Sequence, residues 1–528
     1  MVCYRFYIIA KFEEIYVKYV DKDGNMDNEL FGGKRLKLGI WGLGRGSSFI
    51  DSARALGIDV VAGCDISPAM RTNFKRICPE ADITESEDAF LAMNMDAVLI
   101  ATYFPDHARC TLKALAAGKH VMCEVTSFLT PAEGVEVVEA VEKSGLVYNL
   151  AENYPFTKAN MYLAKLYKEG FFGELEYAEY EYVHGGTHPC LNTQDTLPGN
   201  RLHHWRGWIS YHYYCTHSLG PVMVITGLRP EKVVAFPTDV LYEGTVHGQG
   251  RKIDGVMPNL GAMCPSLIYM SNGGIMRNLM GGTSADSHNQ RIFGTRAAAE
   301  TYPELKLKVG AQGSFHGITV NPDWPDLGAV AERAGHGGGD FWELYYFARE
   351  ILTGEKAPWD IYAASDVTLA GIQALRSAVA EGQPMEIPDF RKKEVRDRYR
   401  NDNWIQKHVD PDRIFPDDQD LAITSHFCEY YSAAQPFIML MRSTLDAMKV
   451  FDVTRPAERI NTINLVKDLR VKLPQAKAAF DKLRSIYEAY PTSPGGVAIK
   501  EKLILCEADR LENMDAFDAF LKDFLLKQ

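Results

Sequence analysis

The stretch LKLGIWGLGRGSS, residues 36–48, decides the fold of this 528-residue chain. An apolar run of strand length ends at a group of glycines, and a helical pattern follows. Glycines permit a tight turn and a close approach of the backbone to a ligand, and the start of the helix offers N–H groups to a phosphate. The spacing is Gly-x-Gly-x-Gly-Ser, so that either Gly46 or Ser47 takes the third position. The predicted phosphate-binding residues are Gly42, Gly44, Arg45, Gly46 and Ser47.

Short apolar runs alternate with amphipathic segments beyond this turn. Strands are predicted at IDVVAGCD, DAVLIAT, HVMCEV and LVYNLAEN, with helices between them. A β-α-β-α alternation indicates a parallel sheet with helices on both faces. We therefore predict an α/β domain of the Rossmann type over residues 35–155.

The pattern changes after about residue 155. Long alternating segments such as GELEYAEYEYVHGG predict an open, mostly antiparallel sheet with one face covered by helices, an α+β domain over 156–390. Residues 391–528 carry amphipathic helical patterns and predict a helical C-terminal extension, in which Pro474 starts or kinks a helix. Residues 1–34 are an N-terminal extension, either a small hairpin or sequence upstream of a start at Met26.

The composition excludes several classes of protein. With 46% hydrophobic and 24% charged residues the chain is expected to be globular. A net charge of -12 disfavours nucleic acid or an anionic membrane as the main partner. The chain lacks an apolar run of about 18 residues and a convincing signal peptide, which favours a cytoplasmic location. Its ten Cys form no Cys-x-x-Cys pair and are expected to be buried thiols.

Asp65 ends the second predicted strand, 23 residues after Gly42. A carboxylate at this place accepts hydrogen bonds from a ribose diol and repels a 2′-phosphate, so the pattern favours NAD over NADP. A second role for Asp65, as the N-cap of the next helix, is compatible with the first.

Two further segments resemble the glucose–fructose oxidoreductase/inositol dehydrogenase (Gfo/Idh/MocA) family. ATYFPDH (101–107) is similar to the loop that closes over the cofactor in that family, and AAGKHVMCEV (116–125) is similar to its Gly-Lys-His-Val strand. That strand usually ends in Glu-Lys-Pro, with a catalytic Lys; this chain has Glu124-Val125-Thr126 and lacks the Lys. The cofactor contacts that the resemblance implies are Thr102, Pro105, His107, Glu124 and Asn153.

A narrower group, the NAD-dependent glycosidases of glycoside hydrolase family 109, shares that departure. Its members carry Trp-Arg followed by Tyr-Pro-Thr-His-Gly-Leu-Gly-Pro, and this chain has Trp205-Arg206 and then YCTHSLGP (214–221). GHGGGDF (335–341) and WDIY (359–362) are also similar to family segments, and the resemblance spans residues 36–390. It implies hydrolysis of a glycoside through transient oxidation of the sugar at C3, elimination of the aglycone, addition of water and re-reduction.

That chemistry needs two proton carriers. His217 is the candidate for the C3 hydroxyl proton, because an imidazole titrates near neutrality. Tyr214 lies three residues earlier, a spacing that places two helical side chains on one face. Either Tyr214 or Tyr154 moves the C2 proton, the latter from a position shifted relative to the family.

Three residues are candidates for substrate binding. Glu124 ends a parallel strand, where such sheets bind ligands, and Arg206 offers a planar fork of donors to sugar hydroxyls. His336 belongs either to loop structure or to a substrate contact. His203 and His204 have no acidic residue or Cys at ligand spacing, so no metal site is predicted.

Three functions stay open at this point. The first is the glycosidase. The second is an ordinary NAD-dependent sugar or cyclitol dehydrogenase with His217 as its base. The third is a non-catalytic NAD-binding regulator that uses the helical extension as a partner surface. The resemblance also implies a homo-oligomer that acts on a small sugar or glycoside.

Overall fold

The computed structural model describes most of the chain from residue 30 onward. The described residues are 30–183, 209–236, 238, 263–281, 287–310, 317–324, 327–332, 334–405, 437–438, 440–492, 496, 499–500, 503–504 and 507–528. Residues 1–29, which include Met26, and the segment with Trp205 and Arg206 lie outside this set.

The first sheet has six parallel strands in the order β3-β2-β1-β4-β5-β6. Its strands are β1 Lys37–Trp41, β2 Asp59–Cys64, β3 Asp82–Thr84, β4 Ala97–Ile100, β5 His120–Glu124 and β6 Tyr148–Ala151. In this doubly wound order the chain reverses its direction of winding between β1 and β4, and the crevice at the carboxyl ends of those strands binds dinucleotides. The three-residue β3 was absent from the sequence prediction because it is too short to show a period.

Helices on both faces cover this sheet. They are α1 Ile50–Ala55, α2 Pro68–Ile77, α3 Glu87–Leu91, α4 His107–Ala116 and α5 Pro131–Ser144. Local sequence sets their ends: Thr130 and Glu133 form a capping box at the start of α5, and Gly145 ends it in the left-handed conformation.

The second sheet has nine strands in the order β14-β13-β12-β11-β7-β10-β9-β8-β15. Only the β7–β10 pair is parallel; the other pairs are antiparallel. Its strands are β7 Leu175–Val183, β8 Pro230–Ala235, β9 Met263–Met270, β10 Ile275–Gly281, β11 Gln290–Gly294, β12 Ala297–Glu300, β13 Lys306–Val309, β14 Ile318–Thr319 and β15 Met385–Glu386. The segment SLIYMSNGGIMRNLM is a hairpin of β9 and β10, because Gly273 takes φ +90° in the turn between them.

Helices pack against one face of the second sheet and against the first domain. They are α6 Lys158–Lys168, α7 Thr216–Thr226, α8 Gly328–Ala331, α9 Gly339–Thr353, α10 Ile361–Val379 and α11 Lys393–Tyr399. On the other face, Leu267, Tyr269 and Ile275 are exposed. The predicted open sheet with one covered face is therefore confirmed.

The C-terminal region is helical, as predicted, and has its own hydrophobic core. It contains a helical stretch at residues 440–450 and two further helices, α12 Pro456–Ala489 and α13 Met514–Leu526. Pro474 lies inside α12 and does not start a helix. Leu473, Ala476 and Phe480 are buried around it, and this packing offsets the one backbone hydrogen bond that a proline removes. No described helix has the length and apolar character needed to cross a membrane.

Candidate active site

Three glycines shape the turn after β1, each for a different reason. Gly42 has φ +95°, and a Cβ there would lie 2.3 Å from the carbonyl oxygen of Ala101. At Gly46 a Cβ would lie 2.4 Å from the side chain of Ile40, so this glycine lets the following helix pack against β1. A Cβ at Gly44 would meet no atom within 4 Å, which leaves the backbone open to a ligand. Turn, open approach and close packing are the three tasks of a dinucleotide-binding turn, and the residues present fit a pyrophosphate.

The structure shows which of Gly46 and Ser47 takes the third position of the glycine pattern. Gly46 is the close-packing glycine, whereas the Ser47 hydroxyl donates a hydrogen bond to the Leu43 carbonyl within the turn.

Asp65 is fixed at the end of β2 by two backbone donors. Its carboxylate accepts hydrogen bonds from the N–H of Leu43 at 2.7 Å and the N–H of Ser67 at 2.8 Å. Burial raises the pKa of Asp65, and these hydrogen bonds together with Arg71 oppose that rise. The N-cap of α2 is Ser67, whose side chain accepts from Met70 N–H. Asp65 thus lies beside the glycine turn, where the ribose of a dinucleotide is expected.

His107 connects the loops that follow β4 and β5. Its Nδ1 lies 2.8 Å from the carbonyl oxygen of Thr126, and its Nε2 lies 3.2 Å from that of Thr102. The ring is buried, and burial lowers the pKa of His107. Any role of His107 at the cofactor is therefore indirect, through the two loops that it holds. Pro105 lies in the short 3-10 turn Phe104–Asp106 between these loops and α4.

Arg45 lies among carboxylates that come from both domains. Its Nε is 2.7 Å from Glu124 Oε1, and its two terminal nitrogens donate to Asp340 at 2.8 and 2.9 Å. Asp340 also accepts from the Asn153 amide at 3.0 Å and lies 3.0 Å from Nδ1 of His336. We call these five residues the Arg45 cluster. The guanidinium predicted to contact the cofactor thus joins the nucleotide domain to helix α9, and His336 takes part in loop structure.

The carboxyl groups in and beside the Arg45 cluster differ in how far their negative charge is stabilised. The hydrogen bonds from Arg45 and His336 hold the pKa of Asp340 well below its usual range in spite of burial. Burial raises the pKa of Glu124, an effect that Arg45 opposes. Glu343, one turn after Asp340 on α9, is only 3% exposed, and neither of its carboxyl oxygens has a hydrogen-bond partner among the described residues. Burial first, and then the charges of Asp340 and Glu124, raise the pKa of Glu343 well above its usual value.

Replacing Glu343 with Gln is expected to stabilise the protein increasingly as the pH rises. A carboxyl whose pKa is raised by folding contributes stability below its unfolded value, here 4.5, and loses that contribution as the pH rises toward the folded value. Glu343→Gln removes this loss, so the free energy of unfolding of the variant should exceed that of the wild type by an amount that grows by up to about 1.4 kcal/mol per pH unit above the unfolded pKa.

Thermal and denaturant unfolding from about pH 5 to about pH 8 measures the difference. Glu394→Gln, at an exposed position on α11, is the matched control and should show the same small change at every pH. If the stability difference between Glu343→Gln and the wild type were the same at every pH, Glu343 would not be a buried neutral acid.

A second cluster lies at the end of β6. Nδ1 of His217, on α7, is 2.8 Å from Glu152 Oε1 and 2.9 Å from Oε2, and both side chains are buried. Glu152 directly follows β6 and also accepts from the backbone N–H of Tyr154 at 3.1 Å. A Cβ at Gly220 would lie 3.1 Å from Glu152 Cγ, so the glycine of the Leu-Gly-Pro segment makes room for this carboxylate.

Three tyrosine rings surround His217, and a second histidine packs against two of them. Tyr154 stacks on it with centroids 4.5 Å apart and an interplanar angle of 22°, and Tyr182 and Tyr214 both present edges at 4.6 Å. His288 stacks on Tyr182 at 5.1 Å, and its Nδ1 lies 3.0 Å from the Tyr154 hydroxyl. We call Tyr154, Tyr182, Tyr214, His217 and His288 the ring cluster. It brings both predicted tyrosines to His217; Tyr214 lies in the 3-10 turn Tyr211–Tyr214, just before α7.

Sequence reasoning overlooked several residues of these clusters. Glu152 ends a parallel strand, as Glu124 does, and the rule that singled out Glu124 applied to it equally. Tyr182 lies in the alternating strand β7 among other tyrosines, and His288 stands outside any motif. Nothing local in the sequence distinguished those two. Arg206, His203 and His204 lie outside the described residues, and the described part of the chain holds no group of three or more potential metal ligands.

Two family models match the chain. The model of the Gfo/Idh/MocA oxidoreductase family, NAD-binding Rossmann fold, matches residues 36–152. The model of the C-terminal domain of glycosyl hydrolase 109 matches residues 320–397, which hold His336 and Asp340 of the Arg45 cluster and the neighbouring Glu343.

Relatives and solved structures agree with these models. A glycosyl hydrolase family 109 protein of Shewanella amazonensis is 24% identical over 396 residues, which cover 67% of this chain and 85% of that protein. One from Stenotrophomonas maltophilia is 25% identical, covering 68% of this chain and 89% of the relative. Levoglucosan dehydrogenase in complex with NADH and levoglucosan superposes with a TM-score of 0.56 at 18% identity, over 67% of this chain and all of that one. The scyllo-inositol dehydrogenase of Lactobacillus casei, with bound NAD(H) and scyllo-inositol, gives 0.53 at 18% identity, over 67% and 99%.

The glycine turn, the strand order and the family model over residues 36–152 lead to the same cofactor and the same fold. The chain is an NAD-binding enzyme with an oxidoreductase fold; residues 36–152 match the Gfo/Idh/MocA family, and residues 320–397 match the C-terminal domain of glycosyl hydrolase 109.

Proposed function

We propose that this chain is an NAD-dependent glycosidase that works through transient oxidation of the sugar at C3. The observation that supports the proposal is the contact between Tyr154 and the His217–Glu152 pair, because these are the two candidate proton carriers. Oxidation of a hydroxyl needs only one such carrier, whereas elimination across C1 and C2 needs a second. The names of the family 109 relatives support the same reaction class.

His217 is assigned to the C3 hydroxyl. When bound, NAD supplies the reversible two-electron oxidation of that carbon. The Glu152 carboxylate accepts a hydrogen bond from Nδ1–H of His217, which fixes the tautomer in which Nε2 can take the hydroxyl proton. The same carboxylate stabilises the imidazolium that then forms, and His217 returns its proton when the sugar is reduced again.

Tyr154 is assigned to the C2 proton. A carbonyl at C3 acidifies C2–H, and the phenol oxygen of Tyr154, as phenolate, removes that proton. The C2–H electron pair forms the C1=C2 bond, and the C1–O bond to the aglycone breaks with its pair on oxygen. Water then adds at C1 while Tyr154 gives a proton back to C2. Tyr214, which is 8% exposed and meets His217 by its edge, is assigned to shaping the wall of the cluster.

The residue after Glu124 supports a proton carrier elsewhere than at the position of the family's catalytic Lys. In the family resemblance that position is a catalytic Lys; here Val125 is 5% exposed and has no titratable group. We infer that proton transfer has moved to His217. A plain sugar dehydrogenase is the second candidate, since the His217–Glu152 pair alone suffices for it and several solved neighbours carry that name. A non-catalytic NAD-binding regulator has no use for a buried His–Glu pair.

Incubating the protein with aryl glycosides and a trace of NAD in D₂O separates these functions. For a glycosidase we expect NMR to show free sugar with deuterium at C2 and no accumulation of NADH. A 3-keto product that accumulates with NADH while the glycosidic bond stays intact would leave only the dehydrogenase. A homo-oligomer stays a prediction, which light scattering on the purified protein tests.

A further inference from the structure

Tyr154 and His288 form a hydrogen-bonded pair at the outer side of the ring cluster. The Tyr154 hydroxyl oxygen lies 3.0 Å from Nδ1 of His288, and the two rings meet at 5.6 Å with an interplanar angle of 65°. Tyr154 extends from the end of the nucleotide-domain sheet, whereas His288 precedes β11 in the second sheet. The pair therefore joins both domains at the site.

Sheet register fixes the position of His288. In the antiparallel pair of β7 and β11, Gln290 is opposite Tyr180, and an isolated bridge joins Val183 and Ser287. This register places His288 opposite Tyr182. Side chains opposite each other on neighbouring strands pack together, and these two rings stack at 5.1 Å and 22°. The imidazole is thus held by a strand partner and can orient the Tyr154 hydroxyl.

Exposure rises across the ring cluster from His217 to His288. His217 and Tyr182 are 4% and 5% exposed, Tyr154 is half-buried, and His288 is exposed to solvent. The Tyr154–His288 hydrogen bond consequently leads from the buried His217–Glu152 pair toward water. An imidazole at its outer end can exchange a proton with solvent near neutral pH.

We propose that His288 is a positioning residue for Tyr154. The His288 imidazole takes the phenol proton, so that the Tyr154 phenolate can remove the C2 proton of the 3-keto sugar. This inference rests on the proposed glycosidase function. The phenol proton moves to Nδ1 of His288, and the C2 proton moves to the Tyr154 oxygen. The C2–H pair forms the C1=C2 bond, and the C1–O pair leaves on the aglycone oxygen, which takes a proton from water. The step is redox-neutral, and hydration reverses the proton transfers.

Two substitutions separate the hydrogen bond from the proton transfer. His288→Asn keeps an acceptor near the position of Nδ1 but cannot take a proton. His288→Phe keeps the stacking on Tyr182 and removes both functions. Tyr302→Phe, at a residue of the second domain that is 71% exposed, is the matched control.

The first measurement is independent of substrate. In NAD-loaded protein labelled with ¹³C at tyrosine Cζ, the resonance that Tyr154→Phe removes identifies the Tyr154 phenol. We expect its titration midpoint to rise by about one pH unit or more in His288→Phe, because the Nδ1–H that forms when the phenol gives up its proton donates a hydrogen bond to the phenolate, and Phe cannot make that bond. The Tyr302→Phe protein should keep the wild-type midpoint. Equal midpoints in wild type and His288→Phe would overturn the proposal.

The second measurement follows the reaction. Both His288 variants should release aglycone about tenfold more slowly or worse and show a larger isotope effect with a C2-deuterated glycoside, while the initial oxidation at C3 keeps its rate. If the wild type releases no aglycone, the glycosidase proposal fails, and the NMR titration still decides on the pair. If the wild type does release it and both variants match its rate and isotope effect, the role of His288 is wrong.

Discussion

Replacing His217 with Ala is expected to lower kcat by about 10³-fold and to leave the affinity for NAD within about twofold. The imidazole is the proton carrier for the C3 hydroxyl in the glycosidase and in the dehydrogenase alike, so either reaction loses its first step. His217 packs against Glu152 and three tyrosines, whereas NAD binding is expected to derive from the glycine turn.

Steady-state kinetics with a competent glycoside, together with NAD titration by fluorescence, measures both quantities. Glu152→Gln should reproduce much of the loss, because it removes the charge that stabilises the imidazolium. Thr226→Ser, in the last turn of the same helix α7, is the matched control and should keep wild-type kcat. A His217→Ala protein that is folded and retains more than about a tenth of wild-type kcat would remove this residue from the chemistry.

Gly42→Ala is expected to weaken NAD binding by about 100-fold or more, since one misplaced turn removes several backbone contacts to the pyrophosphate at once. The left-handed backbone alone costs a non-glycine residue about 1–2 kcal/mol. The larger effect is steric: the new Cβ would lie 2.3 Å from the Ala101 carbonyl oxygen and 2.6 Å from the Thr102 nitrogen. Because both are backbone atoms, the turn itself must move.

Two other glycines make this experiment specific. Gly57 also has a positive φ, +66°, but a Cβ there would meet only an arginine nitrogen at 4.0 Å. Gly57→Ala should therefore lower stability by about 1 kcal/mol and leave NAD affinity unchanged. Gly44→Ala should fold like the wild type, since its Cβ meets nothing, and yet bind NAD more weakly where the pyrophosphate approaches. Equal NAD affinity in all three variants and the wild type would move the cofactor away from this turn.

The fold could be predicted from sequence because its signals are local. Apolar runs that end in glycine, helices with caps and a change from helical to strand periodicity are each visible within about 15 residues. The local signal was ambiguous at two places. A proline predicts either the start or a kink of a helix, and Pro474 sits within a long helix because the buried residues around it hold the helix together. The apolar tract around Asn272 forms two strands because a glycine turn divides it.

The candidate site was only partly predictable because its contacts join distant segments. The resemblance pointed to His217 and Tyr154, but the 65-residue separation of Glu152 and His217 hides their hydrogen bond. His288 is 134 residues from its hydrogen-bond partner Tyr154, and only the register of β7 and β11 brings it near. The cofactor contact of Arg45 stays a prediction, and sequence reasoning did not foresee that its guanidinium pairs with Glu124 and Asp340.

The hydrogen bond between Asp65 and the N–H of Leu43 limits how this enzyme can evolve. The carboxylate expected to reject a 2′-phosphate is also the acceptor that secures the glycine turn. A substitution at position 65 that removes both the charge and the acceptor oxygen would release the turn and weaken both coenzymes together. A switch in coenzyme preference therefore requires that the Leu43 N–H keep an acceptor. Selection for NADP use in this scaffold should start from libraries that vary the turn and the end of β2 in pairs.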